Sequence, residues 1–162
     1  MTYACVRTDN MSGTTVGKDL VSLKFFNGAA EAAIENGSVV LVGEYLEGQR
    51  EVRKATAPAK SSKLNEVALI AHEEVDKTKA YNGFKDYTNP AGLAVRGYRL
   101  TSKDCFSLTK EAFASGSACA KGSVVELDAG TKLKAVATAT SGSTTIGKIV
   151  AVEGEWYVVE VE

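Results

Sequence analysis

The chain has 162 residues and a formal net charge of −1, from 19 Lys and Arg against 20 Asp and Glu. Apolar residues make up 44% and charged residues 24%, which is typical of a folded domain and not of a disordered tail. The two signs of charge are interspersed without a basic stripe, so no nucleic-acid partner is predicted. No apolar run is long enough to span a membrane, and no basic segment precedes an apolar one at Met1, so neither a membrane partner nor a secretory signal is predicted.

The N-terminal third predicts an extended arm followed by a short helix. Met1–Lys18 lacks a sustained hydrophobic period, which predicts an extended arm with one strand at Tyr3–Arg7; a frayed terminus is the alternative. Apolar residues then recur at helical spacing and are followed by Asn36-Gly37, a pair that ends helices. The pattern predicts a helix over Leu20–Glu35, although Gly28 weakens it.

The remainder of the chain is dominated by strand signals, with 15 Gly and only two Pro to punctuate them. The predicted strands are Val39–Tyr45, Glu51–Ala55, Leu93–Leu100, Cys105–Leu108, Val124–Leu127, Lys132–Thr138, Ile146–Val152 and Trp156–Val161. The last two are predicted to form a hairpin across Glu153-Gly154-Glu155. The sequence therefore predicts a mainly β protein.

Three segments between these strands carry other signals. Pro58–Lys63 is interpreted as a loop, and Lys77–Pro90 is polar and rich in turn residues, which predicts an exposed excursion. Val67–Val75 fits a strand and a helix equally well. After Thr109, the residues Lys110–Ala114 are predicted to form a single helical turn.

An internal echo joins two of the predicted strands. Gly37-Ser-Val-Val-Leu41 is matched by Gly122-Ser-Val-Val-Glu-Leu127, and a glycine-containing turn and a charged strand follow each copy. Either the chain repeats a strand-turn-strand unit, or the likeness is one that any strand with this opening would show.

A phosphate-binding loop is suggested by Gly142-Ser-Thr-Thr-Ile-Gly147-Lys148, but its context does not fit. Such a loop needs Ser or Thr after the lysine to ligate Mg²⁺, and a helix whose N-terminus faces the phosphate. Ile149 follows the lysine, and the downstream residues are strand-like. The segment is interpreted as a hairpin loop, and no cofactor is predicted.

Other reactive side chains are sparse. His72 is the only histidine; it cannot supply the two or three ligands of a zinc site, so no metal site is predicted. No nucleophile elbow accompanies it, so it is interpreted as a surface or interface residue and no catalytic residue is predicted. A small hydrolase that uses His72 is the enzyme alternative.

The chain has three cysteines, Cys5, Cys105 and Cys119. Their odd number and the lack of metal or disulfide spacing favour reduced, partly buried thiols.

Three segments taken together resemble the head decoration, or capsid cement, proteins of tailed bacteriophages. They are Ala33-Ile-Glu-Asn-Gly-Ser-Val-Val-Leu41, Lys121-Gly-Ser-Val-Val-Glu-Leu127 and Gly147-Lys-Ile-Val-Ala-Val152. That family shows an I-x-x-G-x-V-V opening, a glycine turn and a late G-x-V strand. The stretch Gly97–Thr109 also resembles phage virion proteins that have two lobes around a strand pair. The resemblance covers about Leu20–Ala57 and Ala91–Glu162, and residues 64–90 depart from it.

The resemblance implies a small β-barrel or β-sandwich fold with one or two short helices and an extended N-terminal arm. The expected organisation is an arm at 1–19 and a β-rich domain at 20–162, divisible into lobes at about 20–76 and 91–162 that an exposed segment at 77–90 joins. It implies a non-enzymatic virion protein, made in the bacterial host cytoplasm, that binds the outer surface of the mature capsid. Its expected partners are several major capsid protein subunits per copy and other copies of itself.

Two further classes of function remain open at this stage. A tail-tube or head-completion protein would share the composition but form rings. A generic ligand- or glycan-binding β-sandwich is the other alternative, although Phe25, Phe26, Phe106, Phe113 and Trp156 form no stacking platform in the sequence and are interpreted as core residues.

Overall fold

The chain folds into twelve strands, as seen in a computed structural model that describes residues 3–11, 19–73 and 87–162. The strands are β1 (Val6–Asn10), β2 (Leu20–Asn27), β3 (Ala30–Glu31), β4 (Val39–Leu46), β5 (Gln49–Thr56), β6 (Val67–Ile70), β7 (Val95–Arg99), β8 (Cys105–Leu108), β9 (Val124–Leu127), β10 (Leu133–Val136), β11 (Thr145–Glu153) and β12 (Trp156–Val161). Two 3₁₀ turns cover Leu64–Glu66 and Lys110–Ala112. In the described residues no helix reaches seven residues or has the length and hydropathy to cross a membrane. The prediction of a mainly β fold is confirmed.

Five of the strands close into a barrel. Their order is β2-β5-β4-β6-β7, and β7 pairs back onto β2. β2 and β5 run parallel, whereas the other neighbours are antiparallel, and β3 extends β2 through a tight hairpin. The side chains that fill the barrel form one apolar cluster: Leu23, Val40, Ala55, Ala68, Ile70 and Val95.

Gly97 allows the barrel to close between β7 and β2. A Cβ atom at this position would lie 2.5 Å from Leu23 Cδ1 and 3.3 Å from Val21 Cγ2, closer than buried carbon atoms approach one another. The glycine therefore lets two strands of a small barrel come together without displacing the interior side chains.

The second unit is a six-stranded antiparallel sheet in the order β1-β8-β12-β11-β9-β10. Its strands β11 and β12 form the hairpin predicted from the sequence, with Glu153 opposite Trp156 and Gly154 in the turn at φ 63°. Its buried face supplies most of the larger apolar cluster, including Phe106, Leu108, Leu127, Leu133 and Ile149.

β6 joins the two units because both of its faces are buried. Ala68 and Ile70 point into the barrel cluster, whereas Val67 and Leu69 belong to the larger cluster with the second sheet. A strand that is apolar on both faces shows no alternation, which is why its pattern fitted strand and helix alike.

β4 begins with a glycine turn that reaches β6. The Ser38 N–H donates to the Glu35 carbonyl at 3.3 Å, and Gly37 takes φ 81°, a conformation that favours glycine. The Gly37 N–H then donates to Ile70 O at 2.8 Å, and the Ile70 N–H donates to Ser38 O at 2.8 Å.

β9 begins in the same way in the other unit. The Ser123 N–H donates to Ala120 O at 3.0 Å, and Gly122 has φ 90°. The Gly122 N–H donates to Ile149 O at 2.7 Å, and the Ile149 N–H donates to Ser123 O at 2.9 Å. The sequence echo is therefore a repeated turn-strand unit, in which each copy exchanges the same two hydrogen bonds with a neighbouring strand.

The helix predicted over Leu20–Glu35 is wrong, because the segment forms β2, β3 and the turn between them. Val21, Leu23 and Phe25 alternate toward the barrel cluster with the period of a strand. Apolar residues also occupy the outer face, where the Lys54 ammonium lies 4.9 Å from the Phe26 ring centroid. Apolar residues on both faces obscured the period of two and imitated a helical one.

The N-terminal segment is more than an appended arm. The predicted strand exists but lies at Val6–Asn10, where it pairs with β8. Ala4, Cys5 and Met11 are buried in the core. The described part, residues 3–11, is thus extended and at the same time integrated into the second sheet.

The boundary between the two units does not coincide with the lobes expected from the sequence. β7 lies within 91–162 but closes the barrel, and β1 lies within the arm but belongs to the second sheet. Of the expected exposed segment 77–90, residues 77–86 lie outside the described residues, and Tyr87 and Asn89 are buried.

Candidate functional site

His72 lies just after β6, where hydrogen bonds to backbone groups hold it. Its N–H donates to Asn36 Oδ1 at 3.0 Å, and its carbonyl accepts from Asn36 Nδ2 at 3.0 Å. The imidazole Nδ1 accepts the backbone N–H of Arg96 at 3.3 Å. An imidazole that accepts at Nδ1 carries its proton on Nε2 and is neutral.

The surroundings of His72 disfavour its charged form. Partial burial and the Arg96 guanidinium lower the pKa of His72 from its ordinary value, and the Glu73 carboxylate opposes them. Glu73 itself pairs with Arg96 at 3.5 Å. A catalytic base of the Ser-His-Asp kind would receive a carboxylate at Nδ1. A backbone amide occupies that position here, so the geometry assigns His72 to holding β6 against β7.

Metal and phosphate ligation also find little support in the described residues. No three His, Cys, Asp or Glu side chains gather there as a metal site. In the glycine-rich segment, Gly147 and Lys148 lie inside β11, and Lys148 pairs with Glu162. A Cβ at Gly147 would overlap the carbonyl oxygen of Glu160 on β12. The expected strand is confirmed, and its glycine serves the close approach of two strands.

The thiols are placed for packing. Cys5 is buried, and Cys105 and Cys119 are half-buried, without a disulfide among them. Burial raises the pKa of the Cys119 thiol, and nearby Lys110 opposes the shift only in part. A thiol with a raised pKa is protonated at neutral pH and is a poor nucleophile.

A buried polar cluster lies beside His72. Asn89 is fully buried, and its Nδ2 donates to Asn36 Oδ1 at 3.0 Å and to Ile34 O at 2.9 Å. Ile34 and Asn89 also exchange both backbone hydrogen bonds at 3.0 Å. Sequence patterns do not predict this cluster, because Asn89-Pro90 is an ordinary turn signal.

The outer surface of the barrel carries the most distinctive exposed group of side chains. A shallow depression of about 370 Å³ is lined by Leu20, Val21, Ser22, Tyr45, Arg50, Glu51, Arg53 and Arg99. Tyr45 is 56% exposed, and the Arg53 guanidinium lies 3.9 Å from its ring centroid. We call Tyr45, Arg50, Arg53 and Arg99 the arginine face.

The pairing of strands explains how the arginine face assembles. Tyr45 on β4 stands opposite Arg53 on β5, and β2 lies between β5 and β7, the strand that ends at Arg99. Residues more than 50 positions apart thus come together, which no local pattern reveals. Only Tyr45 beside a run of charged strand residues could have drawn attention to it.

One sheet edge is also open in the described residues. β1 pairs with β8 on one side, and no described strand lies on its other side. A depression of about 160 Å³ separates Val6 and Thr8 of this edge from His72 and Arg96. The opposite edge, β10, is covered, because Ala114 and Ala118 donate their N–H groups to its carbonyls at 2.7 and 2.8 Å.

The chain matches no family model, no curated protein and no solved structure.

Proposed function

We propose that the chain is a decoration protein of a tailed bacteriophage, which binds the outer surface of the mature capsid and stabilises it. The observation that carries this proposal is the repeated turn-strand unit at Gly37 and Gly122. These are the segments through which the sequence resembles the capsid cement proteins, and each one begins a strand in one of the two β units.

The roles of the reactive side chains and the residues on the surface support a binding role. Within the described residues, the histidine, the glycine-rich segment and the thiols all serve the fold, and no metal-ligating group is assembled. What remains on the surface is suited to contact: the arginine face and the exposed apolar side chains of Leu20, Val150 and Val152. Tyr and Arg are enriched among the residues that dominate binding energy at interfaces.

Cementing a shell needs only modest contact with each subunit. A protein that bridges several subunits gains from their simultaneous engagement, with about 800 Å² per partner at a standard interface. The open edge of β1 offers one mode, the addition of an extended segment by backbone hydrogen bonds. The partners in this proposal are major capsid protein subunits and neighbouring copies of the same chain.

Quantitative mass spectrometry of gradient-purified particles from a host that carries the gene tests the proposal. A copy number comparable to that of the major capsid protein is the expected result, and imaging should then locate the protein on the outer surface. A handful of copies per particle would point to a tail or head-completion component. Absence from particles would overturn the virion role altogether.

A further inference from the structure

Among the residues that the structure describes, the cations of the arginine face have no acidic partners, which sets them apart from the other arginines. The chain has five arginines, and two of them pair with carboxylates: Arg7 with Glu153 and Arg96 with Glu73. Arg50, Arg53 and Arg99 form no ion pair in the part of the chain that the structure describes, although Glu51 lines the same depression.

Two of these guanidinium groups are held in place by the fold. Arg53 donates to the carbonyl of Gly43 at 3.1 Å while it lies over the Tyr45 ring, and Arg99 donates to the carbonyl of Asn65 at 2.8 Å. Each such bond uses one of the five N–H groups of a guanidinium, so most of the donors remain available. A positioned guanidinium loses little side-chain entropy when it binds a carboxylate.

The depression also contains apolar side chains, Leu20 and Val21, beside the polar Ser22 and Glu51. Leu20 is 37% exposed, and it neighbours β7 through its pairing with Tyr98. Together with the ring of Tyr45 it offers an apolar contact between the cations. The site thus combines two or three positions for carboxylates with one for an apolar side chain.

We infer that the arginine face is a docking surface for an acidic segment of a partner protein, one that carries two or more Asp or Glu side chains around an apolar residue. Charge complementarity selects this occupant, because the guanidinium fork binds carboxylates in a bidentate manner. The cationic area is confined to one face of a chain whose net charge is −1 and contains Glu51, which disfavours a long polyanion such as nucleic acid. The identification of that partner as the shell subunit rests on the proposed function, whereas its acidic character does not.

A peptide titration tests the inference directly. The probes are a capped peptide of alternating Asp and Leu, its counterpart with Asn for Asp, and a single-stranded oligonucleotide. We expect the acidic peptide to shift the NMR signals of the Arg50, Arg53 and Arg99 side chains and the Asn peptide to leave them in place. Equal binding of the two peptides, the absence of shifts up to millimolar peptide, or tighter binding of the oligonucleotide would overturn the inference.

Charge-reversal variants provide the second test of the inference. The double variant Arg50→Glu/Arg99→Glu should weaken binding of the acidic peptide at least tenfold, because two charge-assisted contacts become repulsive. The matched control is Lys110→Glu/Lys121→Glu, which makes the same charge change at two exposed lysines, one in the 3₁₀ turn Lys110–Ala112 and one in the turn before β9, and should alter affinity less than threefold. If the double variant does not fold, as judged by circular dichroism, Arg50→Glu alone answers the question, since Arg50 is exposed and forms no hydrogen bond or ion pair within the described residues.

Reconstitution onto particles that lack the protein separates this inference from the proposed function. Loss of decoration by Arg50→Glu/Arg99→Glu, with wild-type copy number for the lysine control, would support both. Full decoration by the arginine variant would overturn the shell subunit as the occupant of the arginine face and leave the proposed function intact. Binding of the acidic peptide by a protein that never appears on particles would overturn the function and leave the docking surface.

Discussion

Asn36 and Asn89 meet side chain to side chain in the core, with Asn89 Nδ2 donating to Asn36 Oδ1 at 3.0 Å. The same oxygen accepts the backbone N–H of His72, and Asn36 Nδ2 donates to the His72 carbonyl. One side chain thus anchors the chain at two points, 72 and 89, on either side of residues 74–86. The link holds together the described residues on the two sides of that segment.

Asn36→Ala should therefore be costly. It leaves the His72 N–H, the His72 carbonyl and one Asn89 donor without their partner, and buried polar groups without partners are expensive. We expect the free energy of unfolding to fall by about 2–3 kcal/mol in urea titrations. The control Asn65→Ala removes the same amide from an exposed position and should cost less than about 0.5 kcal/mol. Equal effects of the two substitutions would contradict the anchoring role.

Stability should decline on mild acidification because of His72. Its folded pKa is lowered by burial and by Arg96, so below the ordinary value of 6.5 the unfolded chain binds the proton first. The contribution is complete above 6.5 and is lost as the pH falls toward the folded pKa. The urea midpoint of the wild type should thus drop as the pH falls below the ordinary His value of 6.5.

His72→Asn is the control for that pH dependence. Asn can still accept the Arg96 N–H but does not titrate, so the variant should lose less stability over the same interval. Asp128 titrates at a lower pH than this interval, because a hydrogen bond from Lys60 and another from the Ala129 N–H lower its pKa below the ordinary value of 3.8. An identical pH profile in wild type and variant would show that His72 is not the responsible group.

Two glycines of the apparent phosphate loop should respond very differently to alanine. Gly147→Ala places a methyl group on the Glu160 carbonyl, which is backbone and cannot turn aside, so a loss of about 3 kcal/mol or more is expected. Gly142→Ala meets no atom within 4 Å and is strained only by φ 83°, for a cost of about 1 kcal/mol. Thermal unfolding of both variants decides the matter. A phosphate loop would instead show two stable variants and a lost nucleotide affinity.

Met11 tests whether the N-terminal segment belongs to the core. It is almost fully buried, so Met11→Ala should lower the free energy of unfolding by about 2–4 kcal/mol. The control Val152→Ala truncates a side chain that is 45% exposed and should cost less than about 0.5 kcal/mol. A neutral Met11→Ala would favour a detachable arm, and deletion of residues 1–11 would then leave the circular dichroism spectrum unchanged.

Local patterns predicted the strands of the second sheet well, and for a physical reason. Cys105–Leu108, Val124–Leu127 and Trp156–Val161 coincide with β8, β9 and β12, because glycine and polar turn residues separate these short, largely apolar runs. The helix predicted over β2 is wrong because apolar residues stand on both faces of this strand, Val21, Leu23 and Phe25 toward the barrel and Leu20 and Phe26 on the outside. The barrel closes through pairing between strands that are distant in the sequence. Distant pairing also places β1 in the second sheet and β7 in the barrel, and the spacing of residues along the sequence does not encode it.

The candidate surface was beyond prediction for the same reason. Arg50 and Arg53 read as ordinary charged positions of an exposed strand, and Arg99 as the end of another. Only the pairing of β7 with β2 and of β2 with β5 makes them neighbours. His72 was interpreted from the sequence as a surface or interface residue, and its hydrogen bonds to Asn36 and to the Arg96 N–H also depend on distant pairings that the sequence does not reveal.

The pairing of β1 with β8 has a consequence for how the protein is made. The two strands are separated by about 100 residues, among which all the barrel strands lie, and at roughly 5–20 residues per second the ribosome needs on the order of 5–20 s to supply β8. During that interval β1 has no partner strand, and the neighbouring residues that the fold buries, Ala4, Cys5 and Met11, are exposed. During crowded synthesis or concentrated refolding, a waiting strand can pair with β8 of a neighbouring chain and bury the same residues. Exchanged dimers are therefore the natural misassembly of this topology.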